Sequence, residues 1–284
     1  MAKQVIVVTG VTSGIGKALA FGFAKAGEHV VMVARDKERG DQLEQEIKSK
    51  IPSADTEVVL SDLSSLSSVR NAAAVIKSTH ESIDVLINNA AIYKSRRELS
   101  TDGLELMFVT NHLGPFLLTH LLLDPLMASG AARILNITAP STVELDFDDL
   151  QAERNFNSLR ALGATKMMNL LFTFELARRL ENTGVSVNAV HPGLARSSLM
   201  NEAGPITRFL LRLAGAPAER VAVDIIRVAT DPEFEKVTGR FLHKAKEIEA
   251  PAYAHNRQAQ ERLWEISSSL VGTTEVDIPS ELTM

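Results

Sequence analysis

Short runs that are apolar on both faces recur along this chain, at residues 5–8, 30–33, 58–60, 85–87, 134–137, 185–190 and 241–242, separated by segments of helix length. A strand with one face in water alternates apolar and polar residues, whereas an unbroken apolar run marks a strand covered on both sides. Parallel strands need a crossover of a dozen or more residues between them, and each gap has room for a helix. The pattern predicts α/β architecture: an open, doubly wound parallel sheet of about seven strands with helices on both faces. No Pro/Gly/Ser-rich linker or charge block divides the 284 residues, so residues 1–284 are expected to form a single domain.

Two segments depart from the rhythm. Residues 194–217 carry Gly204-Pro205, an apolar stretch from Phe209 to Leu213 and Gly215. They read as a lid-like excursion over a pocket, with a permanently packed surface helix as the alternative. Residues 254–271, containing Trp264, have the spacing of an amphipathic helix packed back on the domain. Earlier in the chain, the apolar stretch from Leu170 to Ala177 predicts a helix, with Gly184 placed where its stop belongs.

Composition excludes several classes. A net charge of −5 and a pI near 5.9 argue against a nucleic-acid partner. The absence of cysteine excludes disulfides and thiolate metal sites, and no spacing of His, Asp and Glu suggests a metal. The N-terminus enters a strand at once, and no apolar run approaches the ~20 residues that span a bilayer, so no integral membrane segment is expected. The expected location is the cytoplasm, and the expected partners are a small molecule and, left open, a second copy of the chain.

The first apolar run leads into Thr9-Gly10-Val11-Thr12-Ser13-Gly14-Ile15-Gly16. Glycines at a strand-to-helix turn let backbone N–H groups approach a pyrophosphate, which the helix N-terminus also favours electrostatically. The second run ends Ala34-Arg35-Asp36. An acid at the strand tip would grip the ribose 2′-hydroxyl of NAD. Here the tip is small, and the planar fork of Arg35 suits a 2′-phosphate. NADP(H) is therefore predicted over NAD(H), with Asp36 facing outward as a cap for the next helix.

With Asn88-Asn89-Ala90-Ala91 after the fourth run, the chain resembles the short-chain dehydrogenase/reductase family, whose domain is a Rossmann fold. Finer matches resemble its retinol-dehydrogenase-like branch: residues 111–116 (Asn-His-Leu-Gly-Pro-Phe), 147–151 (Phe-Asp-Asp-Leu-Gln), 191–193 (His-Pro-Gly) and 261–267. The resemblance implies that Asn111 organises a proton-relay water and that Lys166 binds the nicotinamide ribose. It places Asp62 and Leu63 near the adenine, and Asn89, Pro192 and Gly193 along the dinucleotide. Ser197 falls near the carboxamide or pyrophosphate. It also implies two departures: Leu162 stands at the position of the family's catalytic tyrosine, four residues before Lys166, and Ala139 at that of its serine.

Acid–base catalysis is worth about 10²–10⁴-fold, so ordinary carbonyl chemistry should be slow unless another group substitutes. The candidates are a hydroxyl from Thr138 or Ser141, an acid from Tyr93 or from Lys166 itself, or a carboxylate among Glu144, Asp146, Asp148 and Asp149. Three classes of function stay open. One is an enzyme acting on a mostly apolar molecule, by hydride transfer to an activated C=N or C=C or by redox-neutral cyclisation, isomerisation or elimination, as in specialised metabolism. The others are an inactive NADP-binding protein working through a partner, and a conventional NADPH-dependent carbonyl reductase with a substitute acid.

Overall fold

The computed structural model describes residues 3–194 and 215–273, and in it every apolar run is a parallel strand. These are β1 (Val5–Thr9), β2 (His29–Ala34), β3 (Asp55–Leu60), β4 (Val85–Asn88), β5 (Arg133–Ile137), β6 (Ser186–His191) and β7 (Phe241–His243). Among the described residues the sheet order is β3-β2-β1-β4-β5-β6-β7-β8, where β8 (Lys246–Glu247) is a two-residue antiparallel edge. Val7 of β1 pairs with Val31 on one side and Leu86 on the other.

Strand side chains point alternately to the two faces and so feed two cores. Ile6 and Val8 join Val30, Met32 and Ile87 against α1 (Gly14–Ala26), α2 (Lys37–Lys50) and α8 (Ala218–Thr230). Val7 joins Val31, Leu86 and Ile134 on the other face, against α3 (Leu66–Thr79), α5 (Gly114–Leu121), α7 (Ser158–Arg179) and α9 (Arg257–Val271). Shorter helical turns, α4 (Leu106–Phe108), a π-turn (Val109–Leu113) and α6 (Leu123–Ala128), complete the connection from β4 to β5. Trp264 of α9 is buried beneath the Arg179 guanidinium, 4.2 Å from the ring centre, and Ser267 Oγ is 2.9 Å from His112 Nε2. Among the described residues no helix is long and apolar enough to cross a membrane.

Three details differ from the sequence expectation or lie beyond its reach. The β7–β8 hairpin turns through Lys244 and Ala245, both at positive φ, which the residue types do not announce. α7 ends at Arg179, five residues before Gly184. The left-handed φ of Gly184 instead serves a close approach, since a Cβ there would meet Gly130 O at 2.3 Å. Most of the 194–217 excursion, with Ser197, lies outside the described residues, and its described ends join through Ala216 N donating to Leu194 O at 2.7 Å.

Polar side chains tie the sheet to its helices in the dry interior. Asn88 Nδ2 donates to Thr119 Oγ1 (3.0 Å) and to Asn136 Oδ1 (2.8 Å). Asn136 Nδ2 donates to Thr173 Oγ1 (2.9 Å), whose own proton goes to Asn169 O (2.6 Å). Replacing Asn136 by alanine strands donors and acceptors that water cannot reach. Urea denaturation should then show Asn136→Ala less stable by about 2–3 kcal/mol, and a loss under about 0.5 kcal/mol, typical of a neutral surface change, would contradict this.

Candidate active site

The helices following β1 and β4 pack on opposite faces of the sheet, which opens a crevice at the carboxyl ends of these neighbouring strands. Two turns form its floor. Thr9 Oγ1 accepts the N–H groups of Asn89 and Ala90, each at 3.0 Å, while Asn89 Nδ2 donates to Thr9 O at 2.8 Å. Gly10 turns at φ +70°, and a Cβ on Gly16 would stand 2.2 Å from Gly10 O and 2.7 Å from Asn89 Nδ2. Only hydrogen fits at Gly16, so α1 starts hard against the turn. Ser13 is its N-cap and no acid occupies its first turn, which leaves the positive end of the helix facing the crevice.

The crevice encloses about 710 Å³. Gly10, Thr12, Ser13, Gly14 and Ile15 form one wall, Arg35, Asp62 and Leu63 close one end, and Asn89, Tyr93, Lys166, Pro192 and Gly193 line the rest. Gly16 lies behind the turn rather than on the wall, and Asn111 is also off the wall.

Asp36 accepts Arg39 N at 3.1 Å and so caps α2, as its sequence position predicts. Arg35 is exposed on the crevice wall and makes no hydrogen bond or ion pair among the described residues. Arg39 joins it there, with Nη2 donating to Thr12 O at 3.3 Å. Arg39, a second guanidinium four residues after Arg35 on the first turn of α2, is a signal the sequence carries beside it. Ser61 and Thr110, which no motif singles out, also line the crevice, with buried hydroxyls that have no hydrogen-bond partner among the described residues. A cradle that a Cβ would fill, a bare helix N-terminus and two orphaned hydroxyls fit a dinucleotide.

At the other end of the crevice, α7 carries Lys166. Its ammonium makes no hydrogen bond or ion pair among the described residues, and burial brings its pKa down to about 8. Burial also lowers His191, with the nearby His243 adding to the effect. The Thr138 hydroxyl donates to Lys166 O at 2.9 Å, which fixes the register of α7 against β5. Ala139 lines the crevice beside it. Leu162 sits one turn before Lys166, half-buried, on neither the crevice wall nor either core among the described residues.

Asn111 lies in the π-turn with its polar atoms committed within the chain. Its Oδ1 accepts Ile92 N (2.7 Å), its Nδ2 donates to Ile92 O (3.0 Å) and Thr165 Oγ1 (3.2 Å), and its carbonyl accepts Asn169 Nδ2 (3.0 Å). Tyr93 is buried in the wall and its hydroxyl donates to Ser158 Oγ at 3.0 Å, in the first turn of α7. Ser141 does not reach the crevice; its hydroxyl accepts Val143 N. The four carboxylates do not reach it either. Glu144, Asp146 and Asp149 line a separate cavity of about 320 Å³, and Asp148 pairs with Arg262 at 3.1 Å.

The sequence model described as short chain dehydrogenase matches residues 4–205. Retinol dehydrogenase 13 from Homo sapiens is 36% identical over 287 residues, covering 95% of this chain and 85% of that protein. Among solved structures, an uncharacterised protein from Mycobacterium Paratuberculosis superposes with a TM-score of 0.78 at 28% identity, covering 96% of this chain and 94% of its own. The 3-ketoacyl-(acyl-carrier-protein) reductase from Brucella melitensis, complexed with NADH, superposes with a TM-score of 0.66 at 25% identity, covering 84% and 96%. Fold, crevice and sequence agree that this chain belongs to the short-chain dehydrogenase family, in its retinol-dehydrogenase-like branch.

Proposed function

We propose that the protein binds NADP(H) and catalyses hydride transfer to a mostly apolar molecule that is already polarised, such as an iminium or a conjugated alkene. The observation that carries this reading is a contrast between the crevice and two positions beside it, Ala139 on its wall and Leu162 one turn of α7 before Lys166. The groups suited to a dinucleotide are all present: the Gly10–Gly16 cradle, Arg35, Arg39, Asn89 and Lys166. By the family resemblance the two proton-handling positions are Ala139 and Leu162, and neither side chain can donate or accept a proton.

Bound nicotinamide would supply the hydride. Around it, Arg35 and Arg39 would pair with the 2′-phosphate, and the backbone N–H groups at the start of α1 would hold the pyrophosphate. Lys166 would orient the ribose; with its pKa near 8 it is mostly protonated at neutral pH. An iminium becomes a neutral amine as hydride arrives and needs no proton from the protein; a conjugated alkene becomes an enolate, which takes its proton from solvent after the transfer. For such a substrate, orientation in a confined apolar site supplies the acceleration.

A second reading has one observation behind it. Tyr93 is a wall residue with its hydroxyl held by Ser158, so it could serve as the acid of a conventional NADPH-dependent carbonyl reductase, as the name of the human relative suggests. Tyr93→Phe separates the two: loss of about 10²-fold or more in kcat, the scale of general-acid catalysis, supports the second reading, and little change supports the first.

Two outcomes test the proposal. Calorimetry should find NADPH bound more tightly than NADH, and Arg35→Ala should weaken NADPH about 10–100-fold, the worth of a charge-assisted hydrogen bond, while leaving NADH nearly unchanged. Equal affinities in the wild type would contradict it. With retinal, wild-type turnover should fall below the roughly 1–10³ per second usual for enzymes, and Leu162→Tyr combined with Ala139→Ser should raise it by about 10²-fold or more. Efficient wild-type reduction would remove the basis for the unusual chemistry.

A further inference from the structure

At the opposite ends of the same strands, three side chains with metal-binding donors converge. β2 begins at His29 and ends at Ala34 on the crevice wall, so His29 lies about 17 Å from the cofactor end at ~3.3 Å per residue. β3 pairs with β2 in the register His29↔Asp55 and Val31↔Glu57, and α3 ends at its capping residue His80 beside them. One ring nitrogen of His29, one of His80 and a carboxylate oxygen of Glu57 all lie within 4.8 Å of one another.

The hydrogen bonding leaves one of these atoms unsatisfied. His29 Nδ1 lies 3.0 Å from Asp55 Oδ1, and Lys3 Nζ holds the other Asp55 oxygen at 3.1 Å. This outer carboxylate fixes the His29 proton on Nδ1 and turns Nε2 into a lone-pair donor, an arrangement recurrent behind metal-bound histidines. His29 Nε2 is buried, has no hydrogen-bond partner and faces Glu57 Oε1 at 3.8 Å. That oxygen already engages His80 Nε2 at 2.6 Å. An imidazole lone pair set against a carboxylate oxygen brings two acceptors together, and a cation between them resolves the conflict.

We propose that His29, Glu57 and His80 bind a divalent transition-metal ion of the zinc class. The site would use two imidazole nitrogens, one carboxylate oxygen and a fourth position open to water. Two nitrogens and one oxygen suit zinc, cobalt or nickel better than calcium or magnesium, which take oxygen donors. On binding, the ion displaces the Nε2 proton of His80 while solvent protonates Nδ1, so the ring binds as a neutral imidazole, and the three donors close to the ~3.3 Å spacing that bonds of about 2.0–2.1 Å require. His29, Glu57 and His80 are 19%, 32% and 12% exposed in their side chains, enough for an ion to enter. Because β3 is an edge strand, the ion ties that edge to β2 and to the end of α3.

The test uses the full-length chain, stripped with a chelator and titrated with zinc chloride alone. Calorimetry should give one equivalent, weakened at least about 10-fold in His29→Gln and in His80→Gln, and about 10–100-fold in Asp55→Asn, the range for removing an outer partner of a ligating histidine. Cobalt(II) should give a tetrahedral visible spectrum that zinc abolishes, and zinc should raise the wild-type Tm but not that of the variants. Zinc bound equally by wild type and both histidine variants would assign it to other histidines and overturn the proposal. So would no zinc-dependent change in Tm and no tetrahedral cobalt spectrum in the wild type, a readout that holds even if a variant fails to fold.

Discussion

The hydroxyl of Thr9 holds together the two turns on which the crevice is built. It accepts two backbone N–H groups from the turn after β4, while Asn89 returns a hydrogen bond to the turn after β1. Gly16 then sets how closely α1 approaches, because no Cβ fits between it and Gly10 O. The N-terminus of α1 is thereby brought to the point where the sheet changes direction. The bare helix end, Arg35 at the tip of β2 and Lys166 on α7 face one space because this junction is tight. A looser turn would leave the same residues present and the anion site dispersed.

A second constraint fixes the reaction end. Buried hydrogen bonds form one connected path from Asn88 and Asn136 through Thr173 and Asn169 to Asn111, and from there to Thr165, whose hydroxyl donates to the carbonyl of Leu162 at 2.9 Å. It runs from the central strands along successive turns of α7. Partly satisfied buried networks are costly, and this one is nearly complete, with Asn88 Oδ1 left over. Lys166 is therefore presented on a helix held by buried polar contacts as well as by packing. The same contacts hold the turn of α7 that carries Leu162 in register with the turn that carries Lys166.

The sheet was legible because a parallel strand covered on both faces has an unmistakable composition, and the dinucleotide turn because its glycines stand between the first strand and first helix. Asp36 was legible as a cap. What the sequence concealed shares one physical origin: proximity created by pairing rather than by spacing. Ser61 and Thr110 become unsatisfied hydroxyls only once β3 and the π-turn frame the crevice. His29, Glu57 and His80 lie on three elements, and strand register together with the end of one helix brings them together. The β7–β8 turn was missed because Lys244 and Ala245 adopt a backbone more typical of glycine or asparagine. Gly184 misled as a helix stop because a glycine required by a neighbouring backbone looks the same in sequence as one required by a helix end.

The most direct measurement follows the hydride itself. NADPH carrying deuterium on one face of C4 is incubated with the protein and an extract of cells that express it, and products are read by mass spectrometry. The account predicts deuterium on a carbon of an apolar product, from one labelled face and not the other, in the presence of the native Leu162 and Ala139. Conversion of an extract compound with all label retained in the cofactor, or no conversion while NADPH stays bound, would contradict it.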